Sequence, residues 1–296
     1  MKKILLLGAS SNIGFNFIKN YYSEFNIISL SRTLPENNQF NIIKNNIKIE
    51  SIAKIIDKEQ PDFVINCIAM GNVDLCESNK KEAIKINFSF VKDLVQICLS
   101  NKNIKLIHFS SNAIYSGENP YYSELSKPEP INYYGHTKKL ADTYIKENLD
   151  NYLILRPISI YGTTESFQRN NPVNWLLNQL LENNKVSLVS DVFNNMLFVE
   201  DASKALRISI INNINGELNL SSNKSLSLFE IGLLMCKILK LDSSLITRVD
   251  SSFLEKSDMA PRPKNTSFDN SLAKAKLNMN FINMEDGIMS LFNNKN

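Results

Sequence analysis

The stretch Leu5-Leu6-Leu7-Gly8-Ala9-Ser10-Ser11-Asn12-Ile13-Gly14, close to the amino terminus, indicates how this chain folds. The three leucines predict a buried strand, and the first glycine allows a sharp turn. From Ile13 the apolar residues recur with a helical period, so strand, turn and helix follow one another directly. This order is typical of a turn that binds a pyrophosphate at the amino end of a helix. The residues predicted to contact the dinucleotide are Gly8, Ser10, Ser11, Asn12, Ile13 and Gly14.

The glycine pattern is incomplete, because Ser11 stands where a three-glycine turn has its middle glycine. An ordinary connection between a strand and a helix therefore remains an alternative to a dinucleotide site. The place of this turn, at the start of an alternating α/β chain, favours the dinucleotide site.

The end of the second predicted strand, Ser31-Arg32, bears on the choice of cofactor. No acid is present there to accept a hydrogen bond from a free ribose 2′-hydroxyl. The planar guanidinium of Arg32 suits a 2′-phosphate, although a solvent-exposed arginine would have the same sequence. We predict NADPH as the cofactor, with NADH as the alternative.

Short β-branched runs alternate with stretches of helical period from Lys2 to about residue 160, and less regularly beyond Tyr161-Gly162. This alternation predicts βαβ units and an α/β fold with a doubly wound parallel sheet, the Rossmann fold. We predict that residues 1–160 form this NADP-binding domain and that residues 161–296 form a smaller substrate-binding lobe, interleaved with the first. The predicted strands are Ile4–Leu7, Ile27–Leu30, Phe63–Ile65, Ile104–Phe109, Leu153–Leu155 and Glu217–Leu220. The predicted helices are Ile13–Tyr22, Ile52–Lys58, Lys81–Leu99, Tyr134–Asn148, Trp175–Leu181, Asp201–Ile211 and Leu228–Leu239.

The bulk composition is that of a globular protein. Of 296 residues, 43% are hydrophobic and 21% are charged, and the formal net charge is +3. The lysines are spread along the chain, so neither a nucleic-acid partner nor a membrane partner is expected. The apolar run after Lys3 is too short for a secretory signal, which favours a cytoplasmic protein. The four cysteines and two histidines lack metal-ligand spacing, so no metal is predicted.

Three polar residues in the middle of the chain predict acid-base chemistry. Ser111 follows the apolar run Ile104–Phe109, and Tyr134 opens a long predicted helix with Lys138 four residues further on. Residues four apart share one face of a helix, so we predict that the Lys138 ammonium lies beside the phenol and lowers its pKa. Such a phenol can exchange a proton with a carbonyl or an alkoxide. A pair of this spacing also occurs by chance on helix surfaces.

These motifs resemble the extended short-chain dehydrogenase/reductases, and within them the dTDP-4-dehydrorhamnose reductase family. The resemblance rests on Val64 to Ala69 with Val73 to Glu77, on Ser110 to Gly117, on Tyr134 to Lys138, and on Arg262-Pro263-Lys264-Asn265. It implies NADPH-dependent reduction of the C4 ketone of a nucleoside-diphosphate 4-keto-6-deoxy sugar, or of a related keto-sugar or keto-heptose, in surface polysaccharide synthesis. The catalytic residues implied are Ser111, Tyr134 and Lys138. Further cofactor contacts are predicted at Ser31, Arg32, Ala69, Tyr134, Lys138 and Pro157, and substrate contacts at Ser111, Asn112, Tyr122, Trp175 and Arg262.

The sequence departs from the family pattern at three places, and at the first of them Ser111 stands where the family usually has threonine. Asn112-Ala113 replace an Asp-Tyr pair after the serine, and Asn194-Asn195 stand where related epimerases have an arginine, a charge that Arg262 would supply instead. Two alternatives stay open: an NAD-dependent nucleotide-sugar epimerase or dehydratase, and a non-catalytic NADP-binding regulatory subunit. A nucleotide-sugar is the expected partner, and a homodimer is compatible with the resemblance.

Overall fold

The structure, a computed structural model, describes residues 1–35, 39–46, 48–101, 103–254 and 259–294. Its centre is a seven-stranded sheet with the order β11-β6-β5-β4-β1-β2-β3. The strands of this sheet are β1 Lys3–Leu7, β2 Asn26–Ser31, β3 Ile43–Lys44, β4 Phe63–Asn66, β5 Lys105–Phe109, β6 Tyr152–Pro157 and β11 Gly216–Leu220. The shorter strands outside it are β7 Ile160–Tyr161, β8 Val186–Val189, β9 Phe193–Asn194, β10 Leu197–Phe198, β12 Leu226–Ser227 and β13 Ile246–Val249.

Helices cover both faces of the sheet. They are α1 Asn12–Tyr21, α2 Ile49–Glu59, α3 Val73–Ser78, α4 Lys80–Ile84, α5 Phe90–Ser100, α6 Tyr133–Asn148, α7 Pro172–Leu181, α8 Val199–Ile211, α9 Leu228–Leu239, α10 Ser271–Leu277 and α11 Met284–Asn293. A π-helical turn, Lys85–Ser89, joins α4 to α5, so the predicted helix Lys81–Leu99 is present with one irregular turn. In the part of the chain that the structure describes, no helix has the length and apolar character needed to cross a bilayer.

All neighbouring strands of the large sheet pair in parallel, which confirms the predicted doubly wound α/β fold. Strand β1 is almost entirely buried, and its residues alternate between two cores. Ile4 and Leu6 belong to one hydrophobic cluster, and Leu5 and Leu7 belong to the other. Successive side chains of a strand point to opposite faces, so both faces of this sheet are covered.

The strand order reverses between β1 and β4, because the chain runs outward from β1 through β2 to β3 and then returns. In open α/β sheets, ligands bind at such a reversal, beyond the carboxyl ends of the strands. The glycine turn follows β1 at this edge, and Ser110-Ser111 follow β5 at the same edge.

A third hydrophobic cluster lies in the carboxyl-terminal part, with side chains from α7, α9 and α11. The predicted strand Glu217–Leu220 is present as β11, but it pairs with β6 in the large sheet, where Leu220 lies opposite Pro157. The chain therefore returns to the first sheet after residue 161, and the division into two lobes at that point stays a prediction.

Candidate active site

The turn after β1 is tightly packed. Gly8 has a φ of +83°, and a Cβ atom there would lie 3.0 Å from the carbonyl carbon of Cys67. A Cβ on Gly14 would lie 2.8 Å from the Gly8 carbonyl oxygen. The Ser11 hydroxyl caps α1 by accepting a hydrogen bond from the Gly14 amide at 3.1 Å. Glycine is therefore required at both ends of the turn, as the sequence predicted.

The other residues predicted to contact a cofactor lie along the same edge of the sheet. Ser31, the last residue of β2, is buried, and its hydroxyl is 2.6 Å from that of Ser10. Arg32, which follows it, is exposed. Ala69 is exposed just beyond β4, and Pro157 is the last residue of β6.

The amino end of α6 is fixed by three contacts. The Asn132 side chain accepts a hydrogen bond from the Gly135 amide at 2.9 Å, and Glu77 accepts one from the Tyr133 amide at 2.9 Å. Gly135 packs so closely on the carbonyl group of Ala113 that no Cβ atom fits between them. This approach brings the first turn of α6, which carries Tyr134, against the loop that carries Ser111.

The protonation of Tyr134 differs from the sequence-based expectation. Burial raises the pKa of its phenol to about 12, and a hydrogen bond from Ser111 acts in the opposite direction. The Lys138 amino group is bonded elsewhere: its Nζ lies 2.6 Å from the carbonyl oxygen of Phe109 and 3.2 Å from His108 Nε2. The prediction of a lowered tyrosine pKa is therefore wrong for this structure, because the loss of hydration outweighs the hydrogen bond from Ser111 and Lys138 is bonded to other groups.

Lys138, on α6, is buried, and its amino group lies beside the last residue of β5. Burial lowers the pKa of its amino group to about 8, against the opposing effect of Asp142 and Cys67. Asp142 lies one further turn along α6, and its carboxylate accepts a hydrogen bond from Arg156 at 2.9 Å. Arg156 also pairs with Glu217. A line of polar residues thus runs along the buried face of α6 and continues into a buried ion cluster.

His108 is a residue of this region that the sequence analysis left without a role. It is fully buried within β5, and its Nδ1 lies 3.1 Å from the side-chain amide nitrogen of Asn66. Burial, followed by the nearby Lys138 and Arg156, lowers the pKa of the imidazole well below its usual value of 6.5. The ring is therefore neutral at physiological pH. A histidine within an apolar run gave no sign of these partners, which come from two other elements.

A cavity of about 830 Å³ opens beside Ser111 and Tyr134. Arg262 also lines it, and the guanidinium of Arg262 donates a hydrogen bond to Asp74 at 2.8 Å. Lys264 lines it too and forms an ion pair with Asp191 at 2.9 Å. The other polar lining residues include Asn112, Asn132, Ser159, Asn194 and Thr266, and the apolar ones include Val189, Met196, Leu226, Leu228 and Ile231.

The structure brings some of the predicted substrate residues to this cavity and not others. Ser111, Asn112 and Arg262 line it, whereas Tyr122 and Trp175 do not. The Tyr122 ring is buried and stacks on Tyr115 with centroids 4.4 Å apart, and its hydroxyl accepts hydrogen bonds from two loop amides. Trp175 is 40% exposed on α7.

The cavity also contains residues that sequence reasoning missed. The side chain of Asn132, besides capping α6, donates a hydrogen bond to the carbonyl of Pro261 at 3.0 Å. Asn112 donates to Thr266 at 2.6 Å. These bonds hold the segment around Arg262 against the loop that carries Ser111 and the start of α6. The residues missed are Asn132 and Thr266, which no motif or spacing in the sequence singled out. Among the described residues, no three histidine, cysteine, aspartate or glutamate side chains are grouped to hold a metal ion.

The chain has a parallel α/β sheet with a glycine turn after β1, and a serine, a tyrosine and a lysine at the carboxyl edge of that sheet. This arrangement defines a nicotinamide-dependent oxidoreductase. The sequence matches the family described as the RmlD substrate binding domain over residues 1–296, and the chain belongs to that family. The resemblance to dTDP-4-dehydrorhamnose reductases is thereby confirmed.

Two curated relatives span most of the chain. The probable low-salt glycan biosynthesis reductase Agl14 of Haloferax volcanii is 26% identical over 245 residues, covering 82% of this chain and 80% of the relative. The methionine adenosyltransferase 2 subunit beta of Rattus norvegicus is 25% identical over 279 residues, covering 90% of this chain and 80% of the relative.

Solved structures show the same fold. The dTDP-4-dehydrorhamnose reductase of Bacillus anthracis, in complex with NADP, has a TM-score of 0.86 and 22% identity, covering 99% of this chain and 100% of the other. The UDP-glucuronic acid 4-epimerase of Bacillus cereus, in complex with UDP-glucuronic acid and NAD, has a TM-score of 0.82 and 21% identity, covering 98% of each chain.

Proposed function

We propose that this protein is an NADPH-dependent reductase of the C4 ketone of a nucleoside-diphosphate 4-keto-6-deoxy sugar, or of a closely related keto-sugar. The observation that carries the proposal is that Ser111 and Tyr134 line one cavity at the carboxyl edge of the sheet, with Lys138 one helical turn further. Membership of the reductase family supports it, as does the similarity to a glycan biosynthesis reductase.

The residues of the glycine turn, together with Arg32, fit NADPH. The turn from Gly8 to Gly14 has no room for a Cβ at either end, and the ten-residue helix α1 begins at its end, so the first amides of α1 are available to a pyrophosphate. Arg32 is exposed directly after β2, and its guanidinium would contact a 2′-phosphate. When bound there, NADPH supplies the hydride that the ketone carbon accepts.

The raised pKa of Tyr134 suits a reduction. A phenol whose pKa is about 12 is protonated at neutral pH, and reduction of a ketone requires a proton donor at the oxygen. Ser111 would hold the carbonyl oxygen by a hydrogen bond, and Tyr134 would deliver the proton to it. Lys138, when protonated, would stabilise the phenolate that remains.

The cavity suits a sugar nucleotide in charge and size. Arg262 and Lys264 both line it, each paired with a carboxylate, and their N–H donors would bind a diphosphate. The side chains of Met196, Leu226 and Leu228 form an apolar wall that would contact the base or the deoxy carbon of the sugar. A volume of about 830 Å³ accommodates a ligand of this size.

The test is a reductase assay with the purified protein. NADPH and a panel of dTDP-, UDP-, GDP- and CDP-linked 4-keto-6-deoxy sugars are mixed with the protein, and consumption of reduced nicotinamide is followed. One member of the panel should be reduced, and Tyr134→Phe should lower kcat by roughly 10²- to 10⁴-fold because the proton donor is lost. His136→Gln, a change at an exposed residue of the same helix, is the control. No turnover with any ketone of the panel would contradict the proposal.

A non-catalytic role is the second candidate, and the similarity to a methionine adenosyltransferase subunit favours it. A pull-down that returns a stoichiometric partner enzyme, together with an absence of reductase activity, would support that role. The retained Tyr134 and Lys138 favour catalysis, because a purely structural subunit has no need of a phenol at the cavity with a buried lysine one helical turn behind it.

A further inference from the structure

His108 connects two residues that face it from different elements. The side chain of Asn66, from β4, approaches its Nδ1 at 3.1 Å, and Lys138, from α6, approaches its Nε2 at 3.2 Å. All three side chains are buried, with exposures of 0%, 0% and 1% for Asn66, His108 and Lys138. Buried polar atoms must satisfy one another, so the protons of this chain can be assigned from the contacts.

The backbone determines the orientation of the Asn66 amide. The Ile68 amide donates a hydrogen bond to Asn66 Oδ1 at 3.0 Å, which leaves the Nδ2 atom facing His108. An amide nitrogen only donates, so Nδ1 of the imidazole is the acceptor. A neutral imidazole carries one ring proton, and here that proton is on Nε2, directed at the Lys138 nitrogen.

The contacts of Lys138 fit an amine better than an ammonium. Its Nζ donates to the Phe109 carbonyl at 2.6 Å and faces the His108 Nε2–H at 3.2 Å. An ammonium has no lone pair, so two donors would then face each other, whereas a neutral amine accepts from Nε2 and donates to Phe109. We propose that His108, held in one tautomer by Asn66, is a positioning residue that favours the neutral amine form of Lys138 in the free protein.

The surrounding charges act in both directions. Asp142 on α6 and the thiol of Cys67 beyond β4 favour the ammonium, and the charge of Asp142 is offset by its bond to Arg156. Burial is the larger effect and lowers the pKa of Lys138 to about 8, in the direction that the hydrogen bonds require. A consequence, which rests on the proposed function, is that above about pH 8 the free protein holds Lys138 as the amine, which must then gain a proton before it can stabilise a phenolate.

The tautomer can be observed directly, because the chain contains only two histidines, His108 and His136. With ¹⁵N-labelled histidine, two-bond proton–nitrogen correlations distinguish a protonated Nε2 from a protonated Nδ1, and His136→Gln assigns the remaining signals to His108. We expect Nε2–H at neutral pH, with a ring shift that follows the titration of Lys138 near pH 8. A protonated Nδ1, or a doubly protonated ring at neutral pH, would overturn the proposal.

A substitution that reverses the tautomer tests the effect on Lys138. Asn66→Asp keeps the acceptor for the Ile68 amide and replaces the donor to Nδ1 with an acceptor, so the ring proton should move to Nδ1. Nε2 then accepts from the ammonium, and this bond together with the charge of the new carboxylate should move the titration of Lys138 up by about one pH unit, a tenfold change in its protonation equilibrium. Asn20→Asp, at an exposed position of α1, is the matched control.

The tautomer spectrum and the titration of Lys138 in Asn66→Asp each test the proposal. An unchanged titration in folded Asn66→Asp would overturn the proposal, and if that variant does not fold, the spectrum of the unsubstituted protein decides by itself. Neither measurement requires turnover. Reductase activity together with a protonated Nδ1 would leave the proposed function intact and remove only the role of His108.

Discussion

Replacing Gly135 by alanine tests how the fold brings Tyr134 and Ser111 together. The added Cβ would enter the contact between α6 and the Ala113 carbonyl and would also lie 2.9 Å from the Cβ of Pro130. The nearest neighbour is backbone, so it cannot rotate away as a flexible side chain would. Either α6 or the loop that carries Ser111 must move.

Two opposing effects determine how far Gly135→Ala changes the free energy of unfolding. Alanine in place of glycine within a helix stabilises by roughly 0.5 to 1 kcal/mol. Overpacking of a close contact costs about 1 to 3 kcal/mol. The gain is small here because Gly135 lies in the first turn of α6, so we expect Gly135→Ala to lower the free energy of unfolding by about 1 to 2 kcal/mol. A displacement of about 1 Å between Tyr134 and the substrate would lower kcat by roughly 100-fold.

The assay compares urea unfolding and NADPH-dependent turnover of Gly135→Ala with those of His136→Ala. His136 is exposed on the same turn, so its replacement has the helix-propensity effect without the clash and should change stability by less than about 0.5 kcal/mol. If Gly135→Ala proved as stable as the unsubstituted protein and retained its kcat, helix propensity would outweigh the contact, and the argument from the Ala113 carbonyl would be refuted.

Three further predictions concern charge. Burial lowers the pKa of Lys138 from 10.5 to about 8, so between these two pH values the unfolded chain binds more protons than the folded protein. The free energy of unfolding, measured with urea, should therefore rise with pH through this window in the unsubstituted protein relative to Lys138→Met. The same pH dependence in both proteins would contradict this. Arg32→Ala should raise the KM for NADPH about tenfold and leave that for NADH unchanged, and an equal loss with both cofactors would count against a 2′-phosphate contact. Arg262→Ala should raise the KM for the sugar nucleotide while changing the unfolding free energy by less than about 1 kcal/mol, since its ion pair with Asp74 is half-exposed; a large loss of stability with an unchanged KM would show a structural role instead.

Most of the large sheet could be predicted from local pattern. Each predicted strand before residue 160 is present within about two residues of its predicted ends, because a strand buried on both faces is a continuous apolar run that local sequence reveals. Strand β11 was also recognised, but its partner was not. Pairing depends on which surface the returning chain can cover, and a pattern of side chains within one segment contains no information about that.

The candidate site, too, was predictable in part from the sequence and in part only from the tertiary structure. The glycine turn, Ser111, Tyr134 and Lys138 have a characteristic order and spacing, so the sequence by itself determined the chemical groups and the sheet edge where they gather. Only the tertiary structure decided their protonation and partners: Tyr134 loses its hydration in the folded protein, and Lys138 bonds to Phe109 and His108. The physical reason is that hydration and hydrogen bonding depend on atoms brought together from β4, β5 and α6, segments that are distant along the chain.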